Sequence, residues 1–335
     1  MTTHERTAEL AAAIEAVSRA AQVTQAVQRE LVTADTLTKK DRSPVTVADF
    51  ASQAVVCETL QRHFANDPVV GEEDAAELRD EANEPLRASV VEHVQRALAD
   101  IAPATEAQVL SWIDRGHAEG GAKGRFWTLD PIDGTKGFLR GEQYAIALAL
   151  IEDGEIVFGA LGCPNLPSPA DEGEGLLIVA SRGDGTWMTP LIFEGESELQ
   201  PVHVSDIAAA ADANFCESVE SGHSDQDQSV QIAKKLGITA EPVRMDSQAK
   251  YATVAGGSAA IYLRLPTRPG YREKIWDHAA GVIAVEEAGG KVTDVAGKPL
   301  EFGHGRQLEA NRGVIATNGR IHDAVVAAVR DVLES

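Results

Sequence analysis

The segment Trp127-Thr128-Leu129-Asp130-Pro131-Ile132-Asp133-Gly134-Thr135 puts two carboxylates three residues apart, around a proline and directly before a glycine. A strand would deliver Asp130 at its C-terminal end, Pro131 would remove a backbone donor and force a bend, and Asp133 would return beside Gly134. Converging carboxylates repel unless protons or hard cations compensate them. Oxygen ligands on a turn, including a backbone carbonyl such as that of Ile132, suit Mg2+. Gly134 and Thr135 would open the next helix, whose free N–H groups can accept a phosphate beside the ions.

Two further segments carry acids at the ends of predicted elements. Val69-Val70-Gly71-Glu72-Glu73-Asp74 is a strand running into a glycine and three acids, and Trp276-Asp277-His278-Ala279-Ala280-Gly281 sets an acid at the start of a small-residue helix. Taken singly, Glu72 reads as a solvated loop acid, Asp277 as a helix N-cap and the Asp130 segment as an Asp-rich turn. Together they point to a cation site. Other motifs fail on spacing. The residue two after Asp130 is Ile132, so the D-x-D-G-T pattern of an aspartyl-phosphate enzyme is absent. An EF-hand loop begun at Asp130 would need polar residues at Ile132 and Gly134. Neither a P-loop nor a G-x-S-x-G elbow occurs.

The elements that must position these acids are legible from periodicity. Leu10, Ile14, Val17 and Ala21 predict an amphipathic helix over 4–34, and a second helix carries Phe50, Ala54, Cys57, Leu60 and Phe64, with Thr46-x-x-Asp49 as its capping box. Residues 75–120 read as irregular helix. Phe126–Leu129 and 143–151 read as strands, with Asp153-Gly154 as a type I′ hairpin turn and 164–175 as a surface loop. Beyond 200 helices and strands alternate: helices over 226–237, 247–256 and 277–288, a strand over 259–265 and another from Lys291. The expected organisation is an α+β half over 1–200 and an α/β half over 201–335.

Composition narrows the partners. Thirty Lys plus Arg against 52 Asp plus Glu give a net charge of −22, and no basic run or basic helix face occurs, so nucleic acid and anionic membrane surfaces are excluded as partners. The longest uninterrupted apolar run, Tyr144 to Ile151, is far short of the ~18 residues a membrane-spanning helix needs. Charged residues at Glu9, Glu15 and Arg19 break any signal-peptide core, so the chain is read as mature and cytoplasmic. Cys57, Cys163 and Cys216 are too widely spaced for a zinc site and suggest no disulfide framework.

In these segments the sequence resembles the lithium-sensitive, Mg2+-dependent phosphomonoesterases that include inositol monophosphatase and fructose 1,6-bisphosphatase: Gly71-Glu72-Glu73, Asp130 to Thr135 and Trp276 to Gly281 occur in the family's order. Ser43 to Asp49, Lys136 to Gln143, Gly222-His223-Ser224, Asp246 to Tyr251, Tyr262-Leu263-Arg264 and Tyr271 to Ile275 resemble the 3′(2′),5′-bisphosphate nucleotidase branch. The resemblance implies a layered αβαβα fold with two closely packed domains. It implies that Glu72, Asp130, the Ile132 carbonyl, Asp133 and Asp277 hold Mg2+, and that Asp49 and Thr135 activate the attacking water. Gly134, Thr135, His223, Ser247, Lys250 and Arg264 would bind a small bisphosphorylated nucleotide, in a monomeric enzyme inhibited by Li+.

Charge then sets the expected ion count. Glu72, Asp130, Asp133 and Asp277 supply four negative charges and a phosphomonoester about two more, so two Mg2+ leave an excess that a third, entering with substrate, removes. A pair of unit charges ~4 Å apart is worth about 4 kcal/mol even at an effective dielectric of ~20. The expected chemistry is direct in-line attack of a metal-activated water on the 3′-phosphorus of adenosine 3′,5′-bisphosphate, or of its sulfated relative, without a phosphoenzyme. An inositol phosphatase is the alternative within the same chemistry, and a non-catalytic metal- and nucleotide-binding sensor the alternative outside it.

Overall fold

A computed structural model describes residues 6–31, 43–101, 103–167, 175–191, 198–219, 226–266, 268 and 270–334. In chain order its elements are α1 (Thr7–Leu31), α2 (Ser43–His63), β1 (Val69–Gly71), α3 (Glu84–Ala97), α4 (Glu106–Asp114), β2 (Arg125–Asp133), α5 (Thr135–Arg140), β3 (Ala145–Glu152), β4 (Glu155–Cys163), β5 (Leu176–Ser181), β6 (Gly185–Pro190) and β7 (Gln200–Val202). The second half continues with β8 (Phe215–Glu217), α6 (Gln226–Leu236), β9 (Val243–Arg244), α7 (Ala249–Ala255), β10 (Ile261–Arg264), α8 (Ala279–Glu287), β11 (Lys291–Thr293), β12 (Val314–Thr317) and α9 (His322–Leu333). Among the described residues no helix is long and apolar enough to cross a membrane.

Strands β1 to β7 form one sheet in sequential order, and the second sheet runs β11-β12-β10-β8-β9. The large–small alternation in β3 explains the layering. Ile146, Leu148 and Leu150 face a core shared with Val17 of α1 and Phe50 and Leu60 of α2. Ala145, Ala147 and Ala149 face the other way, against Ala252 of α7 and Ile283 of α8. Small residues on that side let helices approach closely: a Cβ on Gly159 of β4 would lie 2.5 Å from Ile283 Cγ2. A third core sets Ile232 of α6 and Val325 and Val329 of α9 on the far face of the second sheet. The order helix, sheet, helix, sheet, helix is the layered α/β arrangement expected.

Several local expectations hold. Asp153 (φ 49°) and Gly154 (φ 84°) are both left-handed, as a type I′ turn between β3 and β4 requires. Two differ. Helix α2 begins at Ser43, so Thr46-x-x-Asp49 lies inside the helix and is not its capping box. Strand β2 does not end at Pro131 but runs on to Asp133, because a bulge absorbs the proline: Asp130 pairs with Ala147 and Asp133 with Ala145. Strands β5 to β9 and β12 are not among the expected elements, and neither is helix α9, although its buried residues His322, Val325, Val326, Val329 and Val332 recur at helical spacing. Residues 168–174 of the expected surface loop lie outside the described residues.

Candidate functional site

The bulge in β2 decides where the acids point. Side chains three apart on a regular strand face opposite ways, but the extra residue brings Asp130 and Asp133 opposite Ala147 and Ala145, which share a face. Strand β1 adds the third acid. It pairs parallel to β2 with Gly71 opposite Leu129, and the ladder continues through the Glu72 N–H to the Leu129 carbonyl (3.2 Å), so Glu72 follows level with Asp130. Parallel strands end together, and both acids emerge at one end of the sheet on the side where α7 and α8 pack.

Asp277 reaches the same place from the approach to α8. His278 precedes the first helical residue, so Asp277 lies outside the N-cap position that the bland reading gave it. From the opposite layer, the first turns of α2 lie across the strand ends: Ser52 Oγ donates to the Pro131 carbonyl (2.9 Å), while Gln53 donates to the Glu73 carbonyl (2.6 Å) and accepts from its N–H (3.1 Å). Asp49, a turn earlier on α2, is 7% exposed.

These residues surround a cleft of about 330 Å³. The cleft brings together Asp49, Glu72, Asp130, Ile132, Asp133, Gly134, Thr135, Ser247, Lys250, Arg264 and Asp277, the sequence-predicted set except His223, which lies outside the described residues. Glu73, Lys136, Ser218, Asp246, Tyr262 and Tyr271 complete the lining. Glu73 and Asp246 flank residues already singled out, so adjacency was their signal. Lys136 and Tyr271 fall in segments whose only signal was resemblance.

The acids are held in a state that asks for positive charge. Burial drives the Asp130 carboxyl well above the carboxylate range, and Glu72, Asp133, Asp277 and Asp49 push it further. Burial likewise raises Asp277 well above its usual value against the opposing pull of Arg264, and raises Asp49 with Glu73 and Glu72 adding to it. Glu72 is raised by burial and by Asp133, although it sits close enough to Asp130 to share a proton. Glu73 is pushed up to about 7 by burial, then by Glu72, Asp74 and Glu77. Hard oxygen donors that repel in the absence of a cation match the donor set divalent ions such as Mg2+ require. The residues present therefore fit Mg2+.

The opposing wall comes from the second half. Ser247 takes φ 67°, unusual for a residue other than glycine, and its Oγ accepts from the Ala249 N–H (3.1 Å) at the start of α7. Lys250 is 3% exposed, its Nζ 5.3 Å from the Tyr262 ring centre and 3.3 Å from the Met245 carbonyl, and burial lowers its ammonium below the ordinary lysine value against the pull of Asp133. It is no solvated helix lysine. Arg264 leaves the end of β10, with Nε donating to Glu273 Oε2 (2.8 Å) and Nη2 3.9 Å from Asp277 Oδ2.

Glu273, Asp277 and His278 each offer a ligand atom within 4.8 Å of the others, which could suggest a separate metal cluster. Their partners argue otherwise. Arg264 occupies Glu273, His278 Nε2 lies 3.3 Å from the same oxygen, and His278 Nδ1 is 2.8 Å from the Tyr251 hydroxyl. Burial alone would raise Glu273, but His278 and Arg264 hold it below the usual range. The group is an ion-pair chain that aims Arg264 into the cleft.

Two of the contacts that join the walls lie beside the acids. The Gln248 N–H donates to Asp133 Oδ2 at 2.6 Å, and a Cβ on Gly134 would stand 2.8 Å from Ser247 Cβ. Gly134 also has φ 91°, so its lack of a side chain answers both to backbone conformation and to space. Helix α5 begins at Thr135, as the sequence suggested.

The chain is similar to known proteins along nearly its whole length. A 3′(2′),5′-bisphosphate nucleotidase of Schizosaccharomyces pombe is 49% identical, covering 97% of this chain and 96% of that protein. One of Emericella nidulans is 44% identical, covering 95% and 96%. Among solved structures, CysQ of Bacteroides thetaiotaomicron, described as a bacterial member of the inositol monophosphatase family, superimposes with a TM-score of 0.63 at 21% identity, covering 94% of this chain and 98% of that one. The family model for inositol monophosphatases matches residues 5–334. With that match spanning almost its whole length, the chain belongs to the inositol monophosphatase family.

Proposed function

We propose that the protein is a Mg2+-dependent 3′(2′),5′-bisphosphate nucleotidase that hydrolyses the 3′-phosphate of adenosine 3′,5′-bisphosphate, and of 3′-phosphoadenylyl sulfate, to leave the 5′-substituted nucleotide and phosphate. The carrying observation is that one cleft has acids from the ends of β1 and β2 facing Lys250 and Arg264 from α7 and β10. A ligand with one phosphate at cations held by the acids and a second phosphate at the basic residues fits both walls. The names carried by relatives at 49% and 44% identity over nearly the full length support this reading.

Glu72, Asp130, the Ile132 carbonyl, Asp133 and Asp277 would hold the ions, two resident and a third arriving with substrate. When bound, Mg2+ supplies Lewis-acid neutralisation of the reacting phosphate. The chain's own residues do the rest. Asp49, ionised once the local negative charge is offset, takes a proton through the Thr135 hydroxyl from a water placed in line with the 3′-phosphorus. Gly134 and Thr135 orient the phosphate by their backbone N–H groups at the start of α5. Ser247, Lys250, Arg264 and His223 hold the 5′-phosphate and nucleoside, which fixes which ester faces the water. The P–O bond to the ribose 3′-oxygen breaks as the new bond to water oxygen forms, so no phosphoenzyme arises.

Phosphate release should be measured from adenosine 3′,5′-bisphosphate, inositol 1-phosphate, inositol 1,4-bisphosphate and fructose 1,6-bisphosphate, with and without Mg2+ and Li+. The expected result is Mg2+-dependent, Li+-inhibited release, fastest from the bisphosphorylated nucleotide. Preference for an inositol phosphate would replace the substrate and keep the chemistry. Tight nucleotide binding without release from any of them would show a sensor and overturn the enzyme reading.

A further inference from the structure

Arg306 does not line the cleft, yet its side chain spans two of the segments that do. Its Nη1 donates to the carbonyls of Ala118 (2.9 Å) and Gly116 (3.2 Å), and Nη2 donates to the carbonyl of Gly71. Gly71 is the last residue of β1, directly before Glu72. The guanidinium carbon of the same side chain lies over the Trp276 ring, 4.8 Å from its centre, and Trp276 directly precedes Asp277. The backbone around Arg306 is fastened to the segment that leads there: Ile275 N–H donates to the Arg306 carbonyl (3.2 Å) and Leu308 N–H to the Glu273 carbonyl (2.9 Å).

We propose that Arg306 is a positioning residue that fixes Glu72 relative to Asp277 and so sets the divalent-cation affinity of the cleft, an inference that rests on the cation-binding reading above. Glu72 follows a strand of the first sheet and Asp277 lies on the approach to α8 in the next layer, and a cation site whose acids come from separate layers is only as tight as the spacing between the layers. Arg306 ties that spacing from behind. Its two terminal nitrogens satisfy three carbonyls, one at the end of β1, while its central carbon sits over the indole, a combination open to a five-donor fork and closed to a point-like ammonium. The role therefore depends on shape as well as charge. That distinction makes it testable, because Arg306 also lends Glu72 a positive charge that lysine would preserve.

The full chain, R306K and R306M should be titrated with Mn2+ followed by electron paramagnetic resonance, with circular dichroism as the check on folding. Loss of partners one layer behind metal ligands costs about 10–100-fold in affinity, so both variants should bind Mn2+ at least ~10-fold more weakly. Methylguanidinium should restore R306M and leave R306K unchanged. The Mg2+ concentration for half-maximal phosphate release should rise in parallel, with KM for adenosine 3′,5′-bisphosphate unchanged at saturating Mg2+. Parent-like Mn2+ binding by folded R306K overturns the proposal by showing that charge alone suffices. If R306M does not fold, R306K decides the matter by the same measurement. A parent chain that binds no Mn2+ overturns the cation reading, and this proposal with it.

Discussion

The backbone N–H of Gln248 donates to Oδ2 of Asp133 at 2.6 Å, a bond that crosses from the second half of the chain to the bulge of β2. One oxygen of Asp133 is thereby committed to protein. The same crossing brings Gly134 against Ser247, so the register of the two walls is set within a few residues.

Gly134→Ala should break this junction. The left-handed φ costs a residue with a Cβ about 1–2 kcal/mol, and the 2.8 Å approach to Ser247 Cβ forces further displacement. The expected outcome is a lower Tm and a fall in kcat of at least ~10-fold, the equivalent of about 1.4 kcal/mol. An unchanged melting curve and unchanged turnover would show that the walls adjust freely.

Asp130→Asn and Asp277→Asn should separate stability from activity. Each removes a carboxyl whose charged form burial disfavours, with neighbouring acids adding to this and, at Asp277, Arg264 opposing it only in part, so in EDTA at neutral pH each variant should melt above the parent. Phosphate release should fall by two or more orders of magnitude, about 3 kcal/mol of barrier or more. Near-normal turnover in Asp277→Asn would remove that residue from the ligand set.

Cation removal should carry a pH signature. The folded-state values of Asp49, Asp130 and Asp277 lie above their unfolded values without a cation. The folded chain then binds more protons than the unfolded one above the ordinary carboxylate range, and its stability falls as pH rises. Glu73, pushed up to about 7, adds to this loss. The Tm difference between excess Mg2+ and EDTA should therefore widen from pH 5 to pH 8. A constant difference would contradict it.

His322 should act in the opposite sense and far from the cleft. Its ring nitrogens are held by Thr293 Oγ1 (2.9 Å) and Thr317 Oγ1 (3.0 Å), and burial, aided by Lys291, lowers it to about 4. The folded value lies below the unfolded one, so its unfolded state binds more protons between about pH 6.5 and 4 and stability is lost as pH falls through that window. His322→Gln should flatten the acid side of the stability profile measured by urea titration with Mg2+ present. An unaltered slope would assign acid sensitivity elsewhere.

Lys250→Met probes the basic wall. Removing the ammonium charge from the cleft should raise KM for adenosine 3′,5′-bisphosphate by about 10-fold or more, the scale of one lost charge-assisted hydrogen bond, while leaving hydrolysis of a monophosphate ester much less affected. Equal effects on both substrates would place Lys250 in the packing of α7 against Tyr262.

The acids were legible because each sits where a recognisable element stops: a hydrophobic strand before Glu72, another before Asp130, a small-residue helix after Asp277. The large–small alternation over 143–151 likewise marked a strand of an antiparallel sheet. Register was not legible. Nothing in Asp130-Pro131-Ile132-Asp133 says that the proline sits in a bulge, since the same residues suit a strand end followed by a turn, and only pairing with Ala145 and Ala147 distinguishes them. Arg306 was invisible for a related reason. Its partners are backbone carbonyls some 190 residues or more away, and a carbonyl has no letter in a sequence. The capping box at Thr46 misled because a threonine and an acid three apart also occur inside a helix that starts earlier.

The parallel pairing of β1 with β2 has a consequence for how such a chain can change. With Gly71 opposite Leu129, each added or deleted residue within 69–72 would turn Glu72 to the other face of the sheet and away from Asp130. Single substitutions there alter the site by degrees, whereas a change in length takes an acid out of the cleft outright. Evolution by insertion and deletion is therefore closed at this strand, and a designer grafting the cleft onto another scaffold would have to copy a strand offset before copying any side chain.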